Sequence, residues 1–126
     1  MPAALRCELF PSDIDVAVAF YEEVLAFHVV RDDRDTGAPY VALERGGVRL
    51  GLAQRPDVPD RGQRRPPVGV ELVVEVDDVD ADRDRVLSAG WSLAEDLTAR
   101  PWGLTDFRLL DPDGYYWRVT SGPPPR

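Results

Sequence analysis

The most restrictive feature of the sequence is that its two halves repeat each other. The tripeptide Asp-Ile-Asp at residues 13–15 recurs as Asp-Val-Asp at residues 78–80, 65 positions later, and Gly47 recurs as Gly114, 67 positions later. Two nearly equal offsets within a chain of 126 residues indicate an internal duplication. Because a chain of this length usually forms one domain, we expect a single domain that is built from two similar modules.

Composition excludes several classes of function. The net charge of −8 disfavours binding to nucleic acid, which requires a basic face, and no apolar run reaches the roughly 20 residues of a membrane span. All 15 basic residues are arginine, which excludes lysine-based catalysis. Cys7 and His28 are each the only residue of their type, so there is no intrachain disulfide and no thiolate zinc site. We expect a cytoplasmic protein in which Cys7 is a buried apolar residue and His28 is an ordinary strand residue.

Hydrophobic periodicity predicts the same order of elements in each half, a strand, a helix and three more strands. Ser12 and Asp15 have the spacing of a capping box that starts the first helix, and Gly90 is in a position to end the second helix, over residues 78–89. The predicted strands cover residues 5–10, 27–30, 40–44 and 48–53 in the first half and residues 68–76, 91–94, 107–110 and 115–120 in the second. Residues 98–104 are predicted to form a loop.

These elements set the expected boundaries of the modules. Module 1 covers about residues 4–54 and module 2 about residues 68–120. Residues 55–67 are rich in Pro, Arg and Asp without periodicity, which predicts a linker. Residues 121–126, with the sequence SGPPPR, are predicted to be a disordered tail.

Two segments of this duplicated unit resemble the vicinal oxygen chelate superfamily. They are DIDVAVAFYEEVLAF at residues 13–27 and LLDPDGYYWRV at residues 109–119. That superfamily includes glyoxalase I, extradiol dioxygenases, and fosfomycin- and bleomycin-resistance proteins. The resemblance covers residues 5–120 and implies an α+β fold, in which two βαβββ modules form a curled, cup-like sheet. It also implies a homodimer, with sites between a first unit and a second unit.

Enzymes of the superfamily hold a divalent metal through four strand residues, usually His, Glu or Gln. Counting from the matching motifs places these positions at Arg6, Gly51, Glu71 and Arg118. A single carboxylate cannot hold a catalytic metal, and a guanidinium stays protonated and has no lone pair to offer. We therefore expect neither a metal nor another cofactor. Within a dimer, Arg6 is hypothesised to pair with Glu71 across the former metal position.

The segment PWGLTDFRLLDPDG at residues 101–114 resembles the bleomycin-resistance-like branch of the superfamily. That branch is metal-free and sequesters a drug without chemistry. The resemblance implies an antibiotic-binding resistance protein for an aromatic natural product, such as a bleomycin-type or other DNA-damaging drug. The three arginines predicted in the cleft also suit a ligand that carries carbonyl, quinone or phenolate groups.

Strand alternation predicts which side chains line the cleft. Aromatic rings beside a few polar anchors suit a planar, drug-sized ligand, and Trp102 is expected to overhang the mouth, where it can contact a cation. The predicted ligand-binding residues are Arg6, Glu8, Phe10, Tyr40, Arg49, Glu71, Glu75, Trp102, Phe107, Leu109, Tyr116 and Arg118.

Two other functions remain open at this point. One is a glyoxalase-like lyase or isomerase of the same fold that uses Glu8, Glu71 or Glu75 without the usual metal. The other is a regulatory protein that senses a ligand. The missing metal ligands disfavour the ordinary enzyme, and a change in the mass of a recovered ligand would distinguish catalysis from binding.

Overall fold

A computed structural model describes residues 2–57, 65 and 67–122 of the chain. The chain divides into two compact units, unit 1 (Met1–Arg64) and unit 2 (Arg65–Arg126). Each unit contains one helix and a four-stranded sheet, so the predicted α+β fold of two βαβββ modules is confirmed. Both helices are ten residues long, and within the described ranges no helix has the length and apolar character of a membrane span.

Unit 1 is a mixed sheet with one helix packed on it. Its elements are β1 (Cys7–Leu9), α1 (Ile14–Glu23), β2 (His28–Asp32), β3 (Tyr40–Arg45) and β4 (Val48–Ala53). The strand order is β1-β4-β3-β2, in which β1 runs parallel to β4 and the other pairs are antiparallel. The helix contacts β4 and β2. Together they bury a core that consists of Ala17, Val18, Phe20, Tyr21, Val41, Leu43, Leu50 and Leu52.

The ends of α1 follow from local hydrogen bonds. The N-cap is Asp13, whose carboxylate accepts from the backbone N–H groups of Asp15 at 3.0 Å and Val16 at 3.2 Å. The predicted capping box with Ser12 as N-cap is therefore wrong by one residue. At the other end, Ala26 adopts a φ of 58°, and the N–H of Phe27 donates to the carbonyl of Tyr21 at 2.8 Å, a geometry typical of a helix C-terminus.

Unit 2 repeats the arrangement of unit 1. Its elements are β5 (Leu72–Val76), α2 (Val79–Ser88), β6 (Glu95–Ala99), β7 (Thr105–Leu110) and β8 (Tyr116–Ser121). The strand order is β5-β8-β7-β6, with β5 parallel to β8. Of the predicted linker, residues 58–64 and 66 lie outside the described residues, as do residues 123–126 of the predicted tail. Ser121, which was assigned to that tail, is the last residue of β8.

One strand of unit 2 lies elsewhere than predicted. The segment at residues 91–94 is not a strand; β6 begins at Glu95 and takes in part of the predicted loop at residues 98–104. Trp91 gives the reason, because its indole N–H donates to the carbonyl of Leu110 at 2.8 Å. This bond and a backbone hydrogen bond of 2.7 Å from the N–H of Ala94 to the carbonyl of Arg108 hold the segment beside the end of β7.

The orientation predicted for Phe107 and Leu109 is wrong. In the β7–β8 register Phe107 lies opposite Val119, and Leu109 lies opposite Trp117. Directly opposed residues point to the same face of a sheet, and Val119 and Trp117 belong to the buried face, which packs against α2. Phe107 and Leu109 are each 0% exposed and form part of this core. The alternate residues of β7, Asp106 and Arg108, therefore occupy the opposite face.

Candidate functional site

Each sheet has one face that packs on its helix and one face that carries polar side chains. We call the second the polar face of the unit. In unit 1 the register places Glu8 beside Gly51 and Gly51 opposite Ala42, with Tyr40 further along β3 on the same face. In unit 2 the register brings together Val73, Arg108 and Arg118 in one row across three strands.

The polar face of unit 1 centres on the carboxylate of Glu8. Its two oxygens accept from the hydroxyl of Tyr40 at 3.0 and 3.2 Å, and its Oε1 accepts from Nε of Arg6 at 2.8 Å. Burial, and next the hydrogen bond to the Glu8 carboxylate, raise the pKa of Tyr40 above its ordinary value. At neutral pH this group is therefore a phenol that donates to a fixed carboxylate.

Gly51 is required for that arrangement. A Cβ atom at this position would lie 1.9 Å from Oε2 of Glu8 and 2.3 Å from the hydroxyl oxygen of Tyr40. The space beside β4 is thus filled by the Glu8 and Tyr40 side chains. Any larger residue at position 51 must displace them.

The polar face of unit 2 centres on Asp106, which is 0% exposed. Arg100 is its main partner: Nε of Arg100 lies 3.1 Å from both carboxylate oxygens, and Nη2 lies 2.8 Å from Oδ1. Arg100 also contacts Glu95. Two further guanidiniums lie near the same carboxylate, those of Arg108 at 3.7 Å and Arg118 at 3.8 Å. A buried carboxylate surrounded in this way fixes the position of the arginines around it.

Arg108 and Arg118 share a second carboxylate. Oε1 of Glu71 lies 2.9 Å from Nε of Arg118, and Oε2 lies 3.5 Å from Nη1 of Arg108. Arg108 also lies over the ring of Tyr116, 5.9 Å from its centroid, and donates to the Tyr116 hydroxyl at 3.3 Å. The predicted residues Glu71, Tyr116 and Arg118 are therefore brought together around a residue that was not predicted, Arg108.

The residues at the four metal positions do not fit a divalent cation. Gly51 has no donor atom, and its space is occupied by Glu8 and Tyr40. Arg118 places a guanidinium against Glu71, where a metal would require a free carboxylate. Among the described residues there is no group of three or more His, Cys, Asp or Glu side chains with the geometry of a metal site. Arg6 pairs with Glu8, and its hypothesised pairing with Glu71 in a dimer stays a prediction.

The remaining predicted residues lie in varied surroundings. Phe10 is half-buried, with the guanidinium of Arg55 at 4.5 Å from its ring centroid. Arg49 and Glu75 are exposed on their strands. Trp102 is 56% exposed in the turn that precedes β7. Their roles in ligand binding stay predictions.

Sequence alternation missed Asp106, Arg108 and Arg100. The signal was present in β7, whose sequence TDFRLL alternates polar and apolar residues from Asp106 to Leu109. Leu110 is also apolar but points to the opposite face from Leu109, so the sequence alone does not show which face of β7 is buried. A polar Asp106 beside three arginines is recognisable only after β7 and β8 are aligned.

One pocket in unit 2 involves none of the predicted residues. It has a volume of about 440 Å³ and is lined by the segment from Gly90 to Ala94 together with Leu110 and Asp111. It lies where α2 ends and β7 ends, and its residues carry no acid–base or metal-binding group besides Asp111.

Several solved structures are similar to the whole chain. TioX from Micromonospora sp. ML1 is 26% identical, with a TM-score of 0.76 over 95% of this chain and 98% of that chain. The integron cassette protein VCH_CASS1 from the mobile metagenome of V. cholerae is 26% identical, with a TM-score of 0.70 over 96% of this chain and 95% of that one. The bleomycin resistance determinant encoded on transposon Tn5 is 23% identical, with a TM-score of 0.74 over 96% and 98%.

At 23% identity the last of these similarities supports the fold alone. No curated protein sequence matches the chain. A family model, in contrast, matches residues 4–119, which is nearly the whole chain. With the duplicated βαβββ fold already established, this match shows that the chain belongs to the Glyoxalase/Bleomycin resistance protein/Dioxygenase superfamily.

Proposed function

We propose that this protein binds and sequesters an aromatic antibiotic without a metal and without chemical change to the ligand. The observation that carries the proposal is the ion pair between Glu71 and Arg118, 2.9 Å apart, at two of the four positions where enzymes of the superfamily hold their metal. The superfamily includes bleomycin resistance proteins. We infer that this chain uses the fold to bind a ligand and not to hold a metal.

The polar faces supply the kinds of contact that a drug-sized ligand needs. Tyr40, Tyr116 and Trp102 offer aromatic surface, and Glu8 and Arg118 offer charged anchors. We keep Arg6, Phe10, Arg49, Glu71 and Glu75 as proposed ligand-binding residues, each on the sheet of its own unit. Phe107 and Leu109 are left out because they lie in the core on the α2 side.

We also propose that the protein works as a cytoplasmic homodimer and protects the cell that makes it. The ligand is an aromatic natural product, of the bleomycin type or another DNA-damaging drug. The dimer rests on the behaviour of small two-module members of the superfamily. Sedimentation equilibrium is the test of the dimer, and a monomer at micromolar concentration would contradict it.

A titration with aromatic antibiotics, bleomycin-type compounds included, tests the binding function. Tryptophan fluorescence reports binding to the wild-type chain, and calorimetry then measures the affinity of variants. Trp102→Ala should weaken binding about tenfold or more, since buried contacts of a tryptophan dominate many interfaces. Trp102→Phe should recover part of the loss. Because Trp102 is 56% exposed, neither variant should lower the melting temperature.

Two results would contradict the proposal. If no compound of the panel binds, the chain is not a receptor for aromatic antibiotics. If a ligand binds equally well to wild type and Trp102→Ala, Trp102 does not belong to the site.

A second candidate function is a lyase or isomerase that acts without metal. The hydrogen-bonded pair of Glu8 and Tyr40 favours it, because a carboxylate held beside a phenol can accept or return a proton. Mass spectrometry of the recovered ligand separates the two functions. A changed mass, or a rearranged product of equal mass on chromatography, would indicate catalysis, and Glu8→Gln should then abolish turnover. An unaltered ligand supports sequestration.

A further inference from the structure

Arg108 and Arg118 lie directly opposite each other on neighbouring strands of unit 2. Two like charges in this position repel, which destabilises the sheet. Both side chains are largely buried, with side-chain exposures of 20% for Arg108 and 23% for Arg118. Solvent therefore screens the repulsion only in part, and the pair needs negative charge close by.

The surrounding carboxylates are distributed unequally among the arginines. Asp106 accepts hydrogen bonds from Arg100, and Glu95 also contacts Arg100. Glu95 lies opposite Arg108 in the sheet, but its carboxylate pairs with Arg100. Among the described residues, Arg108 and Arg118 thus share one carboxylate within 3.5 Å, that of Glu71.

The two guanidiniums also hold unused hydrogen-bond donors. In the described part of the chain, Nε of Arg108 and Nε of Arg118 are buried and have no hydrogen-bond partner. Nε of Arg118 is 2.9 Å from Glu71, so this contact is an ion pair whose N–H is not aligned with the oxygen. Buried donors are nearly always satisfied in native structures, and an unsatisfied pair of charged donors indicates a missing acceptor.

We propose that Arg108 and Arg118 form an oxyanion subsite that binds an acidic oxygen of the aromatic ligand, such as a phenolate, an enolate or a carboxylate. This inference rests on the proposed function and specifies its ligand class. An oxyanion placed between the guanidiniums accepts from both and relieves their mutual repulsion. The ring of Tyr116, under Arg108, provides aromatic surface next to it.

Asp106 acts as a positioning residue for this subsite. It is completely buried, so it does not itself meet the ligand. By holding Arg100 at hydrogen-bonding distance and lying 3.7 and 3.8 Å from the other two guanidiniums, it fixes their spacing before a ligand arrives. A subsite that is ordered in advance loses less side-chain freedom on binding.

Three naphthalene probes that differ in charge test the subsite. They are 2-naphthoate, 2-naphthamide and 2-naphthylmethylammonium, and their affinities are measured by calorimetry at pH 7. The wild-type chain should bind the carboxylate probe at least about tenfold more tightly than either of the others, as charge-assisted hydrogen bonds are stronger than neutral ones. Arg108→Gln and Arg118→Gln should each abolish this preference.

A matched control separates the subsite from net charge. Arg83→Gln removes a positive charge from the same unit, at a side chain on α2 that pairs with Asp96 and Asp84. It should retain the preference for the carboxylate probe. Because both Gln variants remove half of a repelling pair, neither should lower the melting temperature by more than a few degrees.

The outcomes distinguish the subsite from the proposed function. Equal binding of the three probes, a preference for the ammonium probe, or a preference that survives in either Gln variant would overturn the subsite and leave aromatic binding intact. Failure of all three probes to bind at millimolar concentration would overturn the subsite and count against the proposed function as well.

Discussion

Replacement of Asp106 by Asn tests whether the buried charge cluster organises unit 2. Asn keeps the volume of Asp, so the change leaves no cavity, but it removes the charge that Arg100 contacts at 2.8 and 3.1 Å. Removal of one partner from a buried ion pair costs roughly 3–5 kcal/mol. The side chains around this charge are partly exposed, by 16% for Arg100, 20% for Arg108 and 23% for Arg118. Water can therefore solvate them in part.

We therefore expect the low end of that range, a loss of about 3 kcal/mol in the free energy of unfolding. For a domain of this size the melting temperature should fall by about 10 °C. Urea unfolding followed by circular dichroism measures the loss. If the slope of the free energy of unfolding against urea concentration is unchanged, wild type and Asp106→Asn expose the same amount of surface on unfolding.

The matched control is Asp96→Asn. Asp96 accepts two hydrogen bonds from Arg83, at 3.0 and 2.9 Å, which resembles the contact of Asp106 with Arg100, but its side chain is 56% exposed. Exposed pairs contribute little to stability, so this variant should unfold at nearly the wild-type urea concentration. If Asp106→Asn is as stable as Asp96→Asn, the claim that Asp106 organises the cluster is wrong.

Three further substitutions probe the core and the polar face of unit 1. Phe107→Ala should lower the free energy of unfolding in urea by about 3–5 kcal/mol, because Phe107 is fully buried. A loss below about 1 kcal/mol would contradict its assignment to the core. Gly51→Ala should break the Glu8–Tyr40 hydrogen bonds, since the new Cβ would lie 1.9 Å from Glu8, and ultraviolet titration should then show Tyr40 ionising at lower pH. Glu8→Gln should also lower the pKa of Tyr40, because it removes the carboxylate that accepts from the hydroxyl; burial, the larger cause, keeps the pKa above its ordinary value. An unchanged titration would show that the hydrogen bond to Glu8 does not raise this pKa. Because folding raises this pKa, the tyrosine ionises first in the unfolded chain, and the free energy of unfolding of the wild type should fall as the pH rises above about 10. The fall should be smaller in Glu8→Gln.

The duplicated motifs, the hydrophobic periodicity and the family resemblance together predicted the fold. The Asp-Ile-Asp and Asp-Val-Asp repeats, at residues 13–15 and 78–80, both mark helix starts in the structure. The order of elements then follows from the periodicity of each half, because the apolar face of a sheet must be buried against another element, here a helix. The exact cap of α1 did not follow, since Ser12 and Asp13 are both good N-caps and their hydrogen bonds decide between them.

The polar face of unit 1 was predictable from alternation. In β3 and β4 one face is uniformly apolar, with Val41, Leu43, Leu50 and Leu52. A shift of one residue would expose all of it, so Glu8, Tyr40 and Gly51 had to lie on the other face. The close contact of Glu8 with Gly51 joins residues that are 43 positions apart in sequence, and alternation does not reveal it.

The polar face of unit 2 was predicted only in part. Arg118, Tyr116 and Glu71 were placed on it, whereas β7 was assigned the wrong face. Apolar residues occur on both sides of β7 near its end, at Leu109 and Leu110, so its pattern allows two registers. The pairing with β8 selects one of them, and that choice places Arg108 opposite Arg118.

The central claim is that the chain binds its ligand without metal and releases it unchanged. The most direct measurement uses the compound that binds best in the fluorescence titration. Protein treated with EDTA and dialysed is incubated with that compound, beside protein incubated with Ni²⁺, Zn²⁺ or Mn²⁺. Affinity is measured by calorimetry, and the recovered compound is analysed by chromatography and mass spectrometry. We predict equal affinity in all samples and an unaltered compound. Binding that requires a metal, or a compound recovered in altered form, would contradict the account.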